Sequence, residues 1–173
     1  MPHRLVQFAK DSIRAHLRGD SPPVASSGNI PPWGVFVSLH GPGTGGEEGP
    51  LRGCVGSLDL AEDVLLEDEV GRVAVSSATA DPRFEPLTPD EVDDLVITVY
   101  LLDPPEEVEG PTDLDPGKLG IIVTGRRGRK ALLLPDLPGL DTAERQLEAA
   151  KRKARLGADD EVSIQRFTAR IIT

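Results

Sequence analysis

Two short runs of alternating residues set the tightest limit on how this chain folds. Gly34–His40 places Val35, Val37 and Leu39 on one face and Phe36, Ser38 and His40 on the other. Leu51–Leu58 places Leu51, Gly53, Val55 and Ser57 opposite Arg52, Cys54, Gly56 and Leu58. A period of two belongs to a strand. The connection at 41–50 is rich in glycine, so the pair reads as an antiparallel hairpin. Matching apolar with apolar sets Val35, Val37 and Leu39 beside Leu51, Gly53 and Val55. Arg52 and Cys54 then share a face with Phe36, Ser38 and His40, and a slip of one residue would reverse this. In this register Arg52 lies roughly 6–7 Å along the strand from Cys54. A nearby cation lowers a thiol's pKa. Gly53 and Gly56 flank the thiol, and glycine inside a strand marks a bulge or a close approach by another group.

Cys54 is the only cysteine, so no internal disulfide forms, and a lone thiol suits a reducing cytoplasm. A chain of 173 residues is about one domain. The core must come from Val, Leu, Ile and Ala, because only six residues are aromatic: four Phe, one Trp and one Tyr. A net charge of -10 opposes nucleic-acid and membrane-surface binding, since both need a positive face. No apolar run approaches the roughly 20 residues of a membrane span, and residues 1–18 lack the apolar centre of a signal peptide. No cysteine–histidine cluster at ligand spacing is present, so no structural zinc is expected; no motif calls for a metal or a cofactor.

The rest of the chain reads as alternating helices and strands. Residues 4–17 carry Leu5, Phe8, Ala9, Ile13 and Leu17 at helical spacing. Residues 20–32 read as a linker, and Trp33 as a lid over the core. Residues 59–78 read as a helix capped by Asp59 and Glu62, with Glu62, Asp63, Glu67, Asp68 and Glu69 on a solvated acidic face. Thr88-Pro89-Asp90-Glu91 is a capping signal for a short helix. Residues 95–102 form a buried-type strand. Residues 119–124 and 130–134 form a hairpin with a basic tip, Arg126, Arg127, Arg129 and Lys130. Residues 141–156 read as a helix capped by Asp141 or Thr142, and Val162–Ile172 as a last strand. The pattern implies an α+β fold, an antiparallel sheet flanked by helices.

Four of these stretches together resemble the AMMECR-one domain family. Leu51-Arg52-Gly53-Cys54-Val55-Gly56 is similar to its Leu-Arg-Gly-Cys-Ile-Gly signature. Asp81-Pro82-Arg83-Phe84 with Pro86-Leu87-Thr88 resembles a second segment, and residues 95–105 and 120–135 resemble its later strands. The resemblance implies a fold with a larger and a smaller lobe and a cleft between them. It makes Arg52, Gly53, Cys54 and Gly56 the leading motif residues, with Asp81, Pro82, Arg83 and Phe84 second. It implies no established activity. It does imply company: prokaryotic members resemble the A component of the AmmeMemoRadiSam system, whose genes accompany a Memo-type protein and a radical SAM protein. The loop at 41–50 is longer than usual for the family, and His40 lies outside the signature.

Two functions compete on this reading. One is a cytoplasmic module that binds a small anionic ligand or a protein segment, with Arg52 and Arg83 as bidentate donors and Gly53, Gly56, Ser38, His40, Asp81 and Phe84 around them. The other is an enzyme with Cys54 as nucleophile, Arg52 as its activating cation and His40 as the one candidate base.

Overall fold

The computed structural model describes residues 3–26, 32–43 and 49–173. Part of the linker (27–31) and the middle of the long loop (44–48, with Glu47 and Glu48) lie outside the described residues.

The chain forms two compact units. The first comprises residues 1–102 and 170–173. It holds helix α1 (Arg4–Arg18), strands β1 (Gly34–His40) and β2 (Leu51–Leu58), helix α2 (Leu66–Thr79), a 3-10 turn (Pro89–Asp94) and strand β3 (Val96–Leu102). β1 is the central strand, antiparallel to β2 on one side and β3 on the other. One face carries Val35, Val37, Leu39, Ile97, Val99 and Leu101, which are buried with Leu5, Ala9 and Ile13 of α1 and Val70, Val73 and Ala74 of α2. Each fully buried side chain of this size stabilises by about 1.5–3 kcal/mol, so the alternation in β1 and β3 is what fixes the sheet against the helices.

The second unit, residues 103–169, holds β4 (Glu106–Val108), β5 (Leu119–Gly125), β6 (Lys130–Leu133), α3 (Ala143–Lys153) and most of β7 (Val162–Ile172). β5 pairs antiparallel with β6 and β7, and β4 pairs with β7. α3 packs Ala150 and Ala154 with Ile121, Val123, Ala131 and Leu133. The two hairpins, the last strand and the helix starting after Thr142 match the sequence pattern. The three-residue strand β4 was not legible, because it follows Pro104-Pro105 and has no alternation of its own.

Helix α2 departs from expectation in two ways. It begins at Leu66, not near Asp59. Asp59 adopts a left-handed conformation (φ 57°), which ends β2 without starting a helix, so Asp59 and Glu62 form no cap. Its acidic face is also not wholly solvated. Glu67 is buried and takes a 2.6 Å contact from Arg4 Nε and a 2.7 Å hydrogen bond from the Ser26 amide. Glu69 is buried too and is bridged by Arg72 at 2.8 and 2.6 Å. That hydrogen bonding, with a further bond from Ser57, holds the Glu69 carboxyl below its ordinary value. Among the described residues, no helix is long and apolar enough to cross a membrane.

Candidate functional site

The motif strand β2 is held by helix α2 and by the turn that follows it. Gly53 faces the end of α2 so closely that a Cβ there would lie 1.9 Å from the Ser77 carbonyl oxygen. Only glycine lets the two backbones meet. Ser77 then joins both hairpin strands to the helix. Its hydroxyl accepts from the Val55 amide at 3.0 Å and lies 2.9 Å from the Val37 carbonyl and 3.0 Å from the Val73 carbonyl. Gly56 lies under the ring of its cross-strand partner Phe36.

The hairpin register is the expected one from Gly34 to Leu39: Ser38 faces Cys54, Val37 faces Val55 and Leu39 faces Gly53. It shifts between Leu39 and His40, so that His40 faces Leu51 and Arg52 becomes the extra residue of a bulge. Bulges re-aim side chains, and here the result corrects the expectation for Arg52. Its guanidinium turns to Glu91, with Nε at 3.1 Å and Nη2 at 2.8 Å from one carboxylate oxygen. The other oxygen of Glu91 accepts from the amide and hydroxyl of Thr88, at 2.9 and 3.0 Å. Those bonds from Thr88, with Arg52 second, hold Glu91 below its ordinary pKa. Arg52 therefore ties β2 to the capped turn at Pro89–Asp94.

The cation at Cys54 is Arg83. Asp81 is buried, and its Oδ2 accepts the Cys54 amide at 2.9 Å and Arg83 Nη2 at 2.7 Å. Oδ1 accepts the amide and Nε of Arg83 at 3.1 and 3.0 Å. Arg83 Nη2 also donates to the Cys54 carbonyl at 3.3 Å. Its guanidinium lies 5.2 Å from the Phe84 ring centroid. Four hydrogen bonds, led by those from the Arg83 side chain, hold the Asp81 carboxyl far below the usual carboxylate range. The same bonding raises Arg83 against its own desolvation, and the charges of Asp81 and of the Cys54 sulfur act in the same direction. The Arg83 side chain is nonetheless 56% exposed, so a fixed guanidinium stands at the surface beside a half-buried thiol.

The hairpin face that carries Cys54 also brings Ser38 and His40 together. His40 Nε2 lies 2.9 Å from Ser38 Oγ, and Nδ1 lies 3.0 Å from the Gly49 carbonyl. A carbonyl can only accept, so Nδ1 carries a proton, and in the tautomer with a bare Nε2 that nitrogen accepts from the Ser38 hydroxyl. The structure thus joins Cys54 to Asp81 and Arg83, sets Phe84 against Arg83, packs Gly53 on Ser77 and Gly56 under Phe36, pairs Ser38 with His40, and engages Arg52 with Glu91. Ser77 and Thr98 were not singled out from sequence, and Glu91 only as the partner of the Thr88 cap, which it is. Thr98 had a signal: it is the one polar residue buried inside Val96–Leu102. Among the described residues, no three His, Cys, Asp or Glu side chains are placed to hold a metal ion.

Fold and motif together define a class: an α+β protein on antiparallel sheet, with one cysteine in a glycine-flanked strand braced by an aspartate–arginine pair. The AMMECR1 family model matches residues 6–172, and the chain belongs to that family. A Thermotoga maritima protein is 47% identical over 136 residues, covering 78% of this chain and 74% of its own length. A Methanothermobacter thermautotrophicus protein is 37% identical, covering 96% and 91%. The crystal structure of the uncharacterized protein PH0010 from Pyrococcus horikoshii is similar, with a TM-score of 0.81 at 30% identity, covering 96% of this chain and 88% of that one.

Proposed function

We propose that this protein is a cytoplasmic binding module whose recognition surface is the Cys54 strand and the Asp81–Phe84 turn. The observation that carries this reading is the state of Arg83. Its Nε and Nη2 are fixed by Asp81, its plane lies over Phe84, and its Nη1 meets no partner among the described residues. An exposed guanidinium already held in place loses little freedom when it binds. It offers N–H donors to a carboxylate or a backbone carbonyl. Because Asp81 balances its charge, recognition rests on placed donors and not on a positive field.

The family resemblance makes a Memo-type or a radical SAM protein the partner to test. Purified candidates from the same genome, titrated calorimetrically, should include one that binds. Arg83→Ala should weaken that binding about tenfold or more, the loss of one good charged contact, and Arg52→Ala should leave it unchanged. Equal binding by the wild type and Arg83→Ala would remove the surface from consideration.

A second reading, Cys54 as a thiol nucleophile, is favoured by one observation, the Ser38–His40 pair beside it. Arg52 plays no activating part in this version, because Glu91 holds it.

A further inference from the structure

The hydrogen bonds of Cys54 decide how near its side chain comes to Ser38. Its amide donates to Asp81 and its carbonyl accepts from Arg83. Neither group is turned to β1, so Cys54 and Ser38 form a non-hydrogen-bonded pair. In such pairs the Cα atoms approach to about 4.5 Å and the side chains on the shared face are closest. Ser38 is also opposite Thr98 of β3, so Cys54, Ser38 and Thr98 make one row across three strands. His40 stands two residues along β1 on the same face and bonds the middle member of the row.

We propose that His40 is the base for the Cys54 thiol, acting through the Ser38 hydroxyl. This rests on the thiol reading above. The thiol proton passes to Ser38 Oγ as the Ser38 proton passes to His40 Nε2, leaving a thiolate and an imidazolium. The Gly49 carbonyl stabilises the ring by keeping Nδ1 protonated. Ser38 is 5% exposed, which keeps water from competing for the middle position. The relay suits a neutral electrophile with a hydrogen-bonding oxygen, such as an acyl group. The thiolate would bond to the acyl carbon and the leaving group would depart with the proton returned through Ser38. Thr98 points to the same ligand independently. Its hydroxyl is 3% exposed and has no hydrogen-bond partner, and an unpaired buried hydroxyl is costly unless a bound group completes it.

The charged groups around the thiol are Asp81 and Arg83 from the turn after α2, and Arg52 with Glu91. Tyr100 lies a row further along the same face. The arginines stay protonated and the two carboxyls are held low, so none of these changes charge between pH 6 and 9. His40 is therefore the group tested by a pH profile. The probe is iodoacetamide, which is neutral. Its rate on Cys54 is measured from pH 6 to 10 in the wild type, His40→Gln and Ser38→Ala. Each variant should react about tenfold slower at pH 7 or below, the consequence of one pKa unit. At pH 10, where a thiol ionises unaided, all three should agree within about twofold. His40 is half-buried, so His40→Gln should fold and would decide if Ser38→Ala misfolds. A reactive wild type with an unchanged His40→Gln profile would overturn the relay alone. A wild-type Cys54 that stays inert until unfolding would overturn the relay together with the thiol reading, while the binding module would stand.

Discussion

Asp81 does two jobs at the scale of a single residue: it satisfies the Cys54 amide and it aims Arg83. Asp81→Asn should cost about 2 kcal/mol, because hydrogen bonds to a charged group are worth roughly 1.5–3 kcal/mol each. The sign with pH follows from the depressed carboxyl. Its contribution is complete above the ordinary value of 3.8 and is lost as pH falls below it toward the folded value. The stability gap between wild type and Asp81→Asn, from urea midpoints, should therefore be flat above about pH 5 and narrow on acidification. Arg52 makes the opposite case. Its pair with Glu91 is partly exposed on both sides, so Arg52→Ala should cost no more than about 1 kcal/mol. The alkylation rate of Cys54 should not change in that variant, and a slower thiol would restore Arg52 to the site. The sequence placed both arginines near the cysteine, but it could not say which one would be fixed there. That was decided by a one-residue bulge, which leaves no mark on an alternating pattern.

At the scale of the element, the two motif glycines predict different costs. A methyl at Gly53 meets the Ser77 main chain, which cannot move without shifting α2, so Gly53→Ala should cost about 3 kcal/mol or more. A methyl at Gly56 meets the Phe36 ring, which can swing aside, so Gly56→Ala should cost about 1 kcal/mol. Denaturant midpoints of the two variants check the ratio. Ser77→Ala should fall near the first value, since it strands the Val55 amide. What was legible here follows from periodicity. β1 and the register of the first hairpin could be read because Val35, Val37 and Leu39 alternate with other residues and match Leu51 and Val55, and β3 because it is a run rich in Val and Ile. The start of α2 and the burial of Glu67 could not. An acidic run has the same composition whether it faces water or an arginine far away in sequence, and only the packed helices reveal Arg4 against Glu67.

At the scale of the whole molecule, each unit carries its own core, and the two differ in kind. The first buries branched side chains from α1, α2, β1 and β3. The second is smaller and leans on Ala131, Ala150 and Ala154. Native-state hydrogen exchange should accordingly find the β1 amides among the last to exchange and those of β6 opening earlier. A protein of net charge -10 concentrates Arg126, Arg127, Arg129 and Lys130 on one hairpin tip of that second unit. The Arg129 guanidinium is bound to the Arg155 carbonyl at 2.7 Å, so part of this charge serves the end of α3. The Asp81–Arg83 pair has a consequence of its own at this scale. β2 is the outermost strand of its sheet. Where its main chain at Cys54 would otherwise invite another strand, a carboxylate takes the N–H and a guanidinium gives to the C=O, as a neighbouring backbone would. Side chains have imitated the missing strand. This rim is thereby guarded against edge-to-edge aggregation, and anything that docks there must do so without adding to the sheet.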